Sequence, residues 1–404
     1  MAKPEIRLKG FEGEWNHSCF KDLYYSNSIK NNLLFDTDKI ISVANMYFNP
    51  GNTISDKNYL RTYNIFKLGD IAFEGNRSKN YAHGRFVENT IGDGIVSHVF
   101  KVFSPKSDKF DLKYWKYAIN NERVMGKILV RCTKASTMMN DLVEKDFLRE
   151  FVNHPSLNEQ IEIGNFMESL DSMIQGVTKK IASLKQMKQA CLVSMFPQEG
   201  ETIPRVRFKG FKGEWLNVEL SECLSVCKDR NLSETYGKGD VLSVSDDYGV
   251  VNQIELLGRS YAGKSVANYR ILRNGHIVYT KSPLKVKPFG IIKVNNGSDG
   301  IVSTLYAVYV PMDWVSAKFI NYYFEPSFRM NKYIHPLVNK GAKNDMKVSD
   351  ENVLKGNIFI PKEKEEQEKI ATYFTSLDKQ ISLQEARLEK LKQIKSACLD
   401  KMFV

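Results

Sequence analysis

The chain carries most of its pattern twice. Pro4-Glu5-Ile6-Arg7-Leu8-Lys9-Gly10-Phe11-Glu12-Gly13-Glu14-Trp15 returns as Pro204-Arg205-Val206-Arg207-Phe208-Lys209-Gly210-Phe211-Lys212-Gly213-Glu214-Trp215. Asp93-Gly94-Ile95-Val96-Ser97 returns as Asp299-Gly300-Ile301-Val302-Ser303, and Ser169-Leu170-Asp171 as Ser376-Leu377-Asp378. Lys185-Gln186-Met187-Lys188-Gln189-Ala190-Cys191-Leu192 returns as Lys392-Gln393-Ile394-Lys395-Ser396-Ala397-Cys398-Leu399. So long a period is a duplicated domain with its connector, whereas solenoids repeat every ~20–50 residues. Two similar units on one polypeptide give a monomer internal two-fold character, so a ligand that fits it has two parts.

Each unit reads as a mixed region followed by a long helix. In the first, the apolar runs Ile40–Val43, Gly69–Phe73 and Ile95–Phe103 are separated by Gly, Asn, Asp and Pro, the pattern of strands joined by turns. Val241–Val244, Gly275–Tyr279 and Ile301–Val310 follow in the same order in the second, so one fold is expected twice. The loops between the first strands differ in length and sequence, which is how one scaffold acquires two specificities.

The helical pattern is the clearest. Ile163, Met167, Leu170, Ile174, Val177, Ile181, Leu184, Lys188, Cys191 and Met195 alternate in steps of four and three, as do Ile370, Phe374, Leu377, Ile381, Gln384, Leu388, Leu391, Lys395, Cys398 and Met402. Such a seam predicts a coiled coil. Lys188 and Lys395 interrupt it at equivalent places, and the neighbouring Met187 and Ile394 are expected to take over the apolar contact. Ser156-Leu157-Asn158-Glu159 fits a capping box after Pro155, and the second helix starts after Pro361. The linker from Pro197 to Ile203 is too short to bring the next helix back parallel, so the helices are expected to run antiparallel, with a globular domain at each end. The C-terminus should lie near the start of the first domain. The expected class is α+β: two similar mixed α/β domains separated by a pair of long antiparallel coiled-coil helices, with an internal pseudo-two-fold repeat. The expected boundaries are 1–152 for the first domain, 153–197 for the first helix, 198–358 for the second domain and 359–404 for the second helix.

A net charge of +11 points to a polyanionic partner. No apolar run of about 18 residues and no leading signal segment is present, so no membrane role and a cytoplasmic location are expected. The six cysteines form no paired CxxC clusters with nearby histidines, so neither disulfides nor a metal site is expected. Gly258-Arg259-Ser260-Tyr261-Ala262-Gly263-Lys264-Ser265 has phosphate-loop spacing, but a working loop needs a strand leading in and a helix leading out, and the residues after it lean to β. It reads as a basic surface loop. Phe48-Asn49-Pro50-Gly51 lacks the second proline and the aromatic of an amino-methyltransferase, and no nuclease cluster stands out. No catalytic residue is therefore assigned.

Loops rich in Arg, Lys, Asn and Tyr recur at one place in both units. Arg77-Ser78-Lys79-Asn80-Tyr81-Ala82-His83-Gly84-Arg85 follows the Gly69 strand, and Lys281-Ser282-Pro283-Leu284-Lys285-Val286-Lys287 follows the Gly275 strand. Arg bidentate to guanine, Asn to adenine and Lys to phosphate are pairings that duplex DNA offers. Candidate DNA contacts are Asn45, Tyr47, Arg77, Lys79, Asn80 and Arg85 in the first unit, and Tyr248, Arg259, Tyr261, Lys264, Lys281, Lys285 and Lys287 in the second. Off the seam, Lys179, Lys180, Arg387 and Glu389 are outward positions free for a protein partner.

Further residues carry a resemblance. Pro155, Glu159-Gln160, Ile163, Phe166 and Ser169-Leu170-Asp171 recur as Pro361, Glu366-Gln367, Ile370, Phe374 and Ser376-Leu377-Asp378. With the helix endings Ala190-Cys191-Leu192 to Met195-Phe196 and Ala397-Cys398-Leu399 to Met402-Phe403, this resembles the specificity (S) subunits of type I restriction-modification systems over essentially the whole chain. Gly69-Asp70-Ile71 and Gly275-His276-Ile277 resemble the family's strand openings, although His276 departs from the usual acidic residue. The resemblance implies two target-recognition domains, each reading half of a bipartite site in double-stranded DNA. It also implies two methyltransferase subunits bringing S-adenosylmethionine, and motor-nuclease subunits using ATP and Mg, with no cofactor on this chain. Three rivals stay open: the specificity subunit of a system without a motor, a non-DNA coiled-coil adaptor, and a stand-alone nuclease or NTPase using the Gly258 loop.

Overall fold

The computed structural model describes residues 3–49, 57–107, 110–136, 139–281, 287–340 and 346–404. The chain divides into two compact units, one comprising Met1–Lys179 with Ala386–Val404 and the other Lys180–Glu385.

Each unit builds the same sheets in the same order. In the first, Tyr24–Asn27, Lys101–Pro105, Ile71–Glu74 and Arg85–Glu88 lie side by side as a four-stranded antiparallel sheet. Its counterpart uses Leu224–Val226, Tyr306–Pro311, Ile277–Thr280 and Ile292–Val294. Small antiparallel pairs also match, Asn64–Phe66 on Gly94–Val96 and Arg270–Leu272 on Gly300–Val302 among them. The long apolar runs at Ile95 and Ile301 are each two strands rather than one, because a turn at Ser97–Phe100 or Ser303–Tyr306 sends the chain from the small pair into the four-stranded sheet.

Next to the sheet, each unit places a short helix, Leu112–Ala118 or Ala317–Tyr323, whose N-cap Asp111 or Ser316 accepts a bond from the backbone three residues on. Then comes a strand that pairs with the start of the unit, Phe151–His154 on Asn16–Cys19 and Asn357–Ile360 on Leu216–Glu219. The long helices follow as Leu157–Ser194 and Lys364–Lys401, each of 38 residues and so roughly 57 Å long.

The seam residues are buried, but not only against another helix. Ile163, Met167 and Leu170 belong to the core of the first unit with Phe20, Tyr24, Phe103, Trp115 and Phe147. Ile370, Phe374, Leu377 and Ile381 belong to that of the second, with Leu184, Trp215 and Phe319. Ile181 is buried, while Ile174, Leu388 and Leu391 are half-buried. Within the second unit, Lys185 pairs with Glu385 at 2.7 Å and Lys188 with Asp378 at 2.6 Å, so rising numbers on one helix segment meet falling numbers on the other: they are antiparallel. Within the first, Ile6 N–H donates to the Lys401 carbonyl, as Val206 N–H donates to that of Ser194 in the second. The C-terminal helix therefore closes on the start of the first domain, as expected.

The seam lysines behave differently from the expectation. Met187 and Ile394 stay 41% and 40% exposed, and it is the lysines that turn inward. Lys188 Nζ reaches Asp378 and Glu325 at 2.6 and 2.5 Å, while Lys395 Nζ reaches Asp171 at 2.5 Å. Tyr322 and Tyr117 donate to the same aspartates at 2.9 and 2.7 Å. Burial opposes charge on Asp171, yet the Lys395 and Tyr117 bonds hold its carboxyl below the usual range. The lysine stays because it has a carboxylate, and a neighbouring apolar side chain could not satisfy that group.

The repeated Glu-Gln dipeptides join helix to domain. Glu159 accepts Arg7 Nε and Nη2, both at 2.7 Å, and Glu366 accepts Arg207 at 2.7 and 2.8 Å. Both glutamates are almost fully buried, so Glu159 is committed to a bidentate pair rather than to the capping box that its spacing suggests. Gln160 and Gln367 donate to the carbonyls of Pro155 and Pro361 and accept from the backbone N–H of Asp111 and Ser316. A Cβ at Gly164 would lie 2.5 Å from Asp111 Oδ1, so the helix and its domain approach backbone to backbone there.

Candidate nucleic-acid interface

In the first unit the loop after Ile71–Glu74 is pinned at both ends. A Cβ at Gly75 would lie 2.1 Å from the Asn140 carbonyl, and Gly84 has φ +82° with Glu74 O at 2.6 Å from its would-be Cβ. Both positions demand glycine. Between them Arg77 donates to Asn140 Oδ1 and Ser136 O at 3.2 and 3.1 Å, and Tyr81 donates to Asn120 at 2.6 Å. Lys79 and Asn80 are exposed, as are Asn45 and Tyr47 on the neighbouring turn. Arg85 is held more tightly: it bonds Glu74 Oε2 at 2.7 Å and the Ala44 carbonyl at 2.8 Å, and lies over the Tyr81 ring.

These residues border a cleft of about 750 Å³ that brings Asn45, Asn80, Tyr81 and Arg85 together with Lys116, Arg123, Asp171 and Lys395. Glu88 lies in its wall, 3% exposed, and among the described residues its Oε2 has no hydrogen-bond partner. Burial pushes that carboxyl well above its usual range and favours the protonated form. A cleft of about 410 Å³ occupies the corresponding place in the second unit, with Tyr322 and Asp378 where the first has Tyr117 and Asp171. There Val294 stands opposite Ile277, as Glu88 stands opposite Ile71.

The second unit deploys its cations differently. Lys287, 7% exposed, donates to Asp246 and the Glu325 carbonyl at 2.7 and 3.0 Å; Lys281 pairs with Asp350 at 2.6 Å. Burial acts against the Asp246 charge, yet Lys287 and Lys293 hold its carboxyl below the usual range. Both ammonium groups are thus committed inside the domain. Lys285 and the rest of 282–286 lie outside the described residues, as do Pro50 and Gly51. Tyr248, Arg259, Tyr261 and Lys264 are exposed, with the Arg259 guanidinium 4.6 Å from the Tyr261 ring centre. Gly258 terminates the short helix Gln253–Leu257 in the left-handed conformation, so a helix, not a strand, leads into the glycine-rich segment. That is the reverse of a phosphate loop.

Sequence reasoning missed Lys116, Arg123 and Lys395 as neighbours of the loop from Gly75 to Gly84. Their gathering depends on packing between elements far apart in the sequence, which spacing within one element does not report.

Residues 215–393 match the family described as type I restriction modification DNA specificity domain. The S subunit of a type I restriction-modification system from M. genitalium shares the fold over 100% of this chain and 99% of its own, with a TM-score of 0.56 and 13% identity. The HsdS subunit from Thermoanaerobacter tengcongensis aligns over 97% of each chain with a TM-score of 0.49 and 15% identity. No curated protein matches. The match to the type I restriction modification DNA specificity domain thus covers most of the second unit.

Proposed function

We propose that this chain is the sequence-reading subunit of a type I restriction-modification complex, in which each unit reads one half of a bipartite DNA site. The observation that carries the reading is the contrast inside the duplication: the clamping ion pairs recur in kind, Arg7–Glu159 as Arg207–Glu366 and Lys395–Asp171 as Lys188–Asp378, while the exposed loops do not. Retained joints suit a shared architecture, and divergent basic loops suit two different half-sites. The long helices space the readers and, with the adjoining domain surfaces, dock two methyltransferase subunits through outward positions such as Lys179, Lys180, Arg387 and Glu389. Methyl transfer with S-adenosylmethionine, and cleavage driven by ATP and Mg on motor-nuclease subunits, then belong to the partners. A system without the motor uses the same subunit in the same way.

The test is to sequence modified adenines in DNA exposed to this chain plus its methyltransferase partner. Two marked half-sites separated by an unread spacer are expected. Marks at a single undivided motif, or binding to duplex DNA with no salt dependence, would overturn the reading.

A further inference from the structure

Among the described residues, the two most exposed aliphatic side chains are Leu232 at 71% and Leu34 at 70%. They sit on the same loop of the duplicated fold. In the first unit the buried Asn31 donates from Nδ2 to the carbonyls of Phe35 and Leu60 and accepts from Phe35 N–H, while its own N–H reaches Tyr63 O. In the second, the buried Asn231 donates to Tyr236 and Val266, accepts from Tyr236 N–H, and its N–H reaches Tyr269 O. Each loop is thus staked to its domain by an amide, and each contains non-glycine residues in the left-handed region: Asn32 and Leu33 at φ +40° and +65°, Glu234 at +50°. Such backbone persists only where the surroundings over-determine it. A staked loop that holds a leucine out in water presents a hard apolar tip.

Cations flank it. Lys30 and Arg230 stand immediately before the anchoring asparagines, and in the second unit Lys228, Arg230 and Arg270 line a notch of about 260 Å³. Arg270 is held by Asp350, while Lys228 and Arg230 are exposed. Apolar wedges beside phosphate-binding cations are the chemistry with which proteins open a base step. A methyltransferase docking twice would meet the same surface twice, but the loops differ by one residue between anchor and return, and the leucine shifts position with them. That asymmetry fits two unlike DNA half-sites better than two like partners.

Resting on the proposed reading of DNA, we propose that Leu34 and Leu232 are wedges that press into a base step, one in each half-site, with Lys228 and Arg230 seating the adjacent phosphates in the second. The test uses the full chain in complex with its methyltransferase, and duplexes carrying 2-aminopurine at successive steps of the marked site. The intact complex should raise fluorescence at one or more steps in each half-site. Leu34→Ala should abolish the rise in one half only and Leu232→Ala in the other, each weakening binding several-fold; at about 70% exposure neither change disturbs the core. Lys228→Gln with Arg230→Gln should weaken all sequences alike and reduce the salt slope by about 1 to 2. The proposal is overturned if the intact complex unstacks no step, if both leucine variants leave the fluorescence unchanged, or if they lose the methyltransferase instead of the DNA. A complex that still marks two half-sites under any of these outcomes leaves the reading itself standing.

Discussion

The two units agree where a domain meets its helix and disagree in and beneath the loops that join their strands. Arg7 on Glu159 and Arg207 on Glu366 are alike to within 0.1 Å, and so are the Tyr–Asp–Lys groupings in kind. By contrast, Arg85 is tied to Glu74 in one unit, Lys287 and Lys293 share Asp246 in the other, and Asp70 is answered by His276. A buried ion pair tolerates little change in one partner alone, because a charge is then stranded, so such pairs are kept or exchanged whole; an exposed loop can change its contacts singly at small cost. Duplication therefore separates the framework of this molecule from its adjustable part without reference to any other chain.

The hardest blow to the shared part is to remove one arginine. Arg207→Ala leaves Glu366 buried without its partner and should cost about 3–5 kcal/mol, whereas replacing both members by apolar residues should cost far less. Hydrogen exchange should show the loss in the second unit, and Arg7→Ala should do the same to the first. Equal loosening of both units by either variant would break the comparison.

The divergent part gives effects of about 1–3 kcal/mol on binding. Asn80→Ala, at an exposed loop position, should relax one half-site by that amount and leave the other intact. Arg85→Ala should instead destabilise the first unit, since its guanidinium is engaged by Glu74 and Ala44 O. Competition binding with half-site variants, beside thermal unfolding, separates the two.

Smaller, and opposite in sign between the units, is the response to pH. Burial raises Asp70 to about 6, above its unfolded value, so its stabilising contribution is present at low pH and is lost as pH rises through about 6. Burial lowers His276, so its contribution is present above the ordinary imidazole value and is lost as pH falls. Going from pH 7 to 5, the first unit should gain about 1 kcal/mol from Asp70 while the second weakens. Exchange protection followed unit by unit checks this, and Asp70→Asn should flatten the first response.

The frame of this fold was legible because it is written in periodicities and in a repeat: the two long helices and the recurrence of strands in the same order follow from apolar spacing and turn residues. What was not legible was the destination of charged groups. Lys188 and Lys395 look like faults in a seam until Asp378 and Asp171 meet them, and the tyrosines that share those aspartates, Tyr322 and Tyr117, lie 56 and 54 residues earlier in the chain than the aspartates themselves. Lys281 and Lys287 read as basic loop residues, yet Asp350 and Asp246 claim them from distant segments. Sequence spacing reports which face a side chain occupies on its own element, and pairing depends on what another element brings to that face.

The clamp between each long helix and its domain also fixes a phase. With Arg7, Gln160 and the close approach at Gly164 all gripping one face, the domain cannot turn on the helix, so it turns with it. One residue inserted in the helix beyond the clamp would swing the domain by about 100° and advance it by about 1.5 Å, whereas seven would nearly restore its heading.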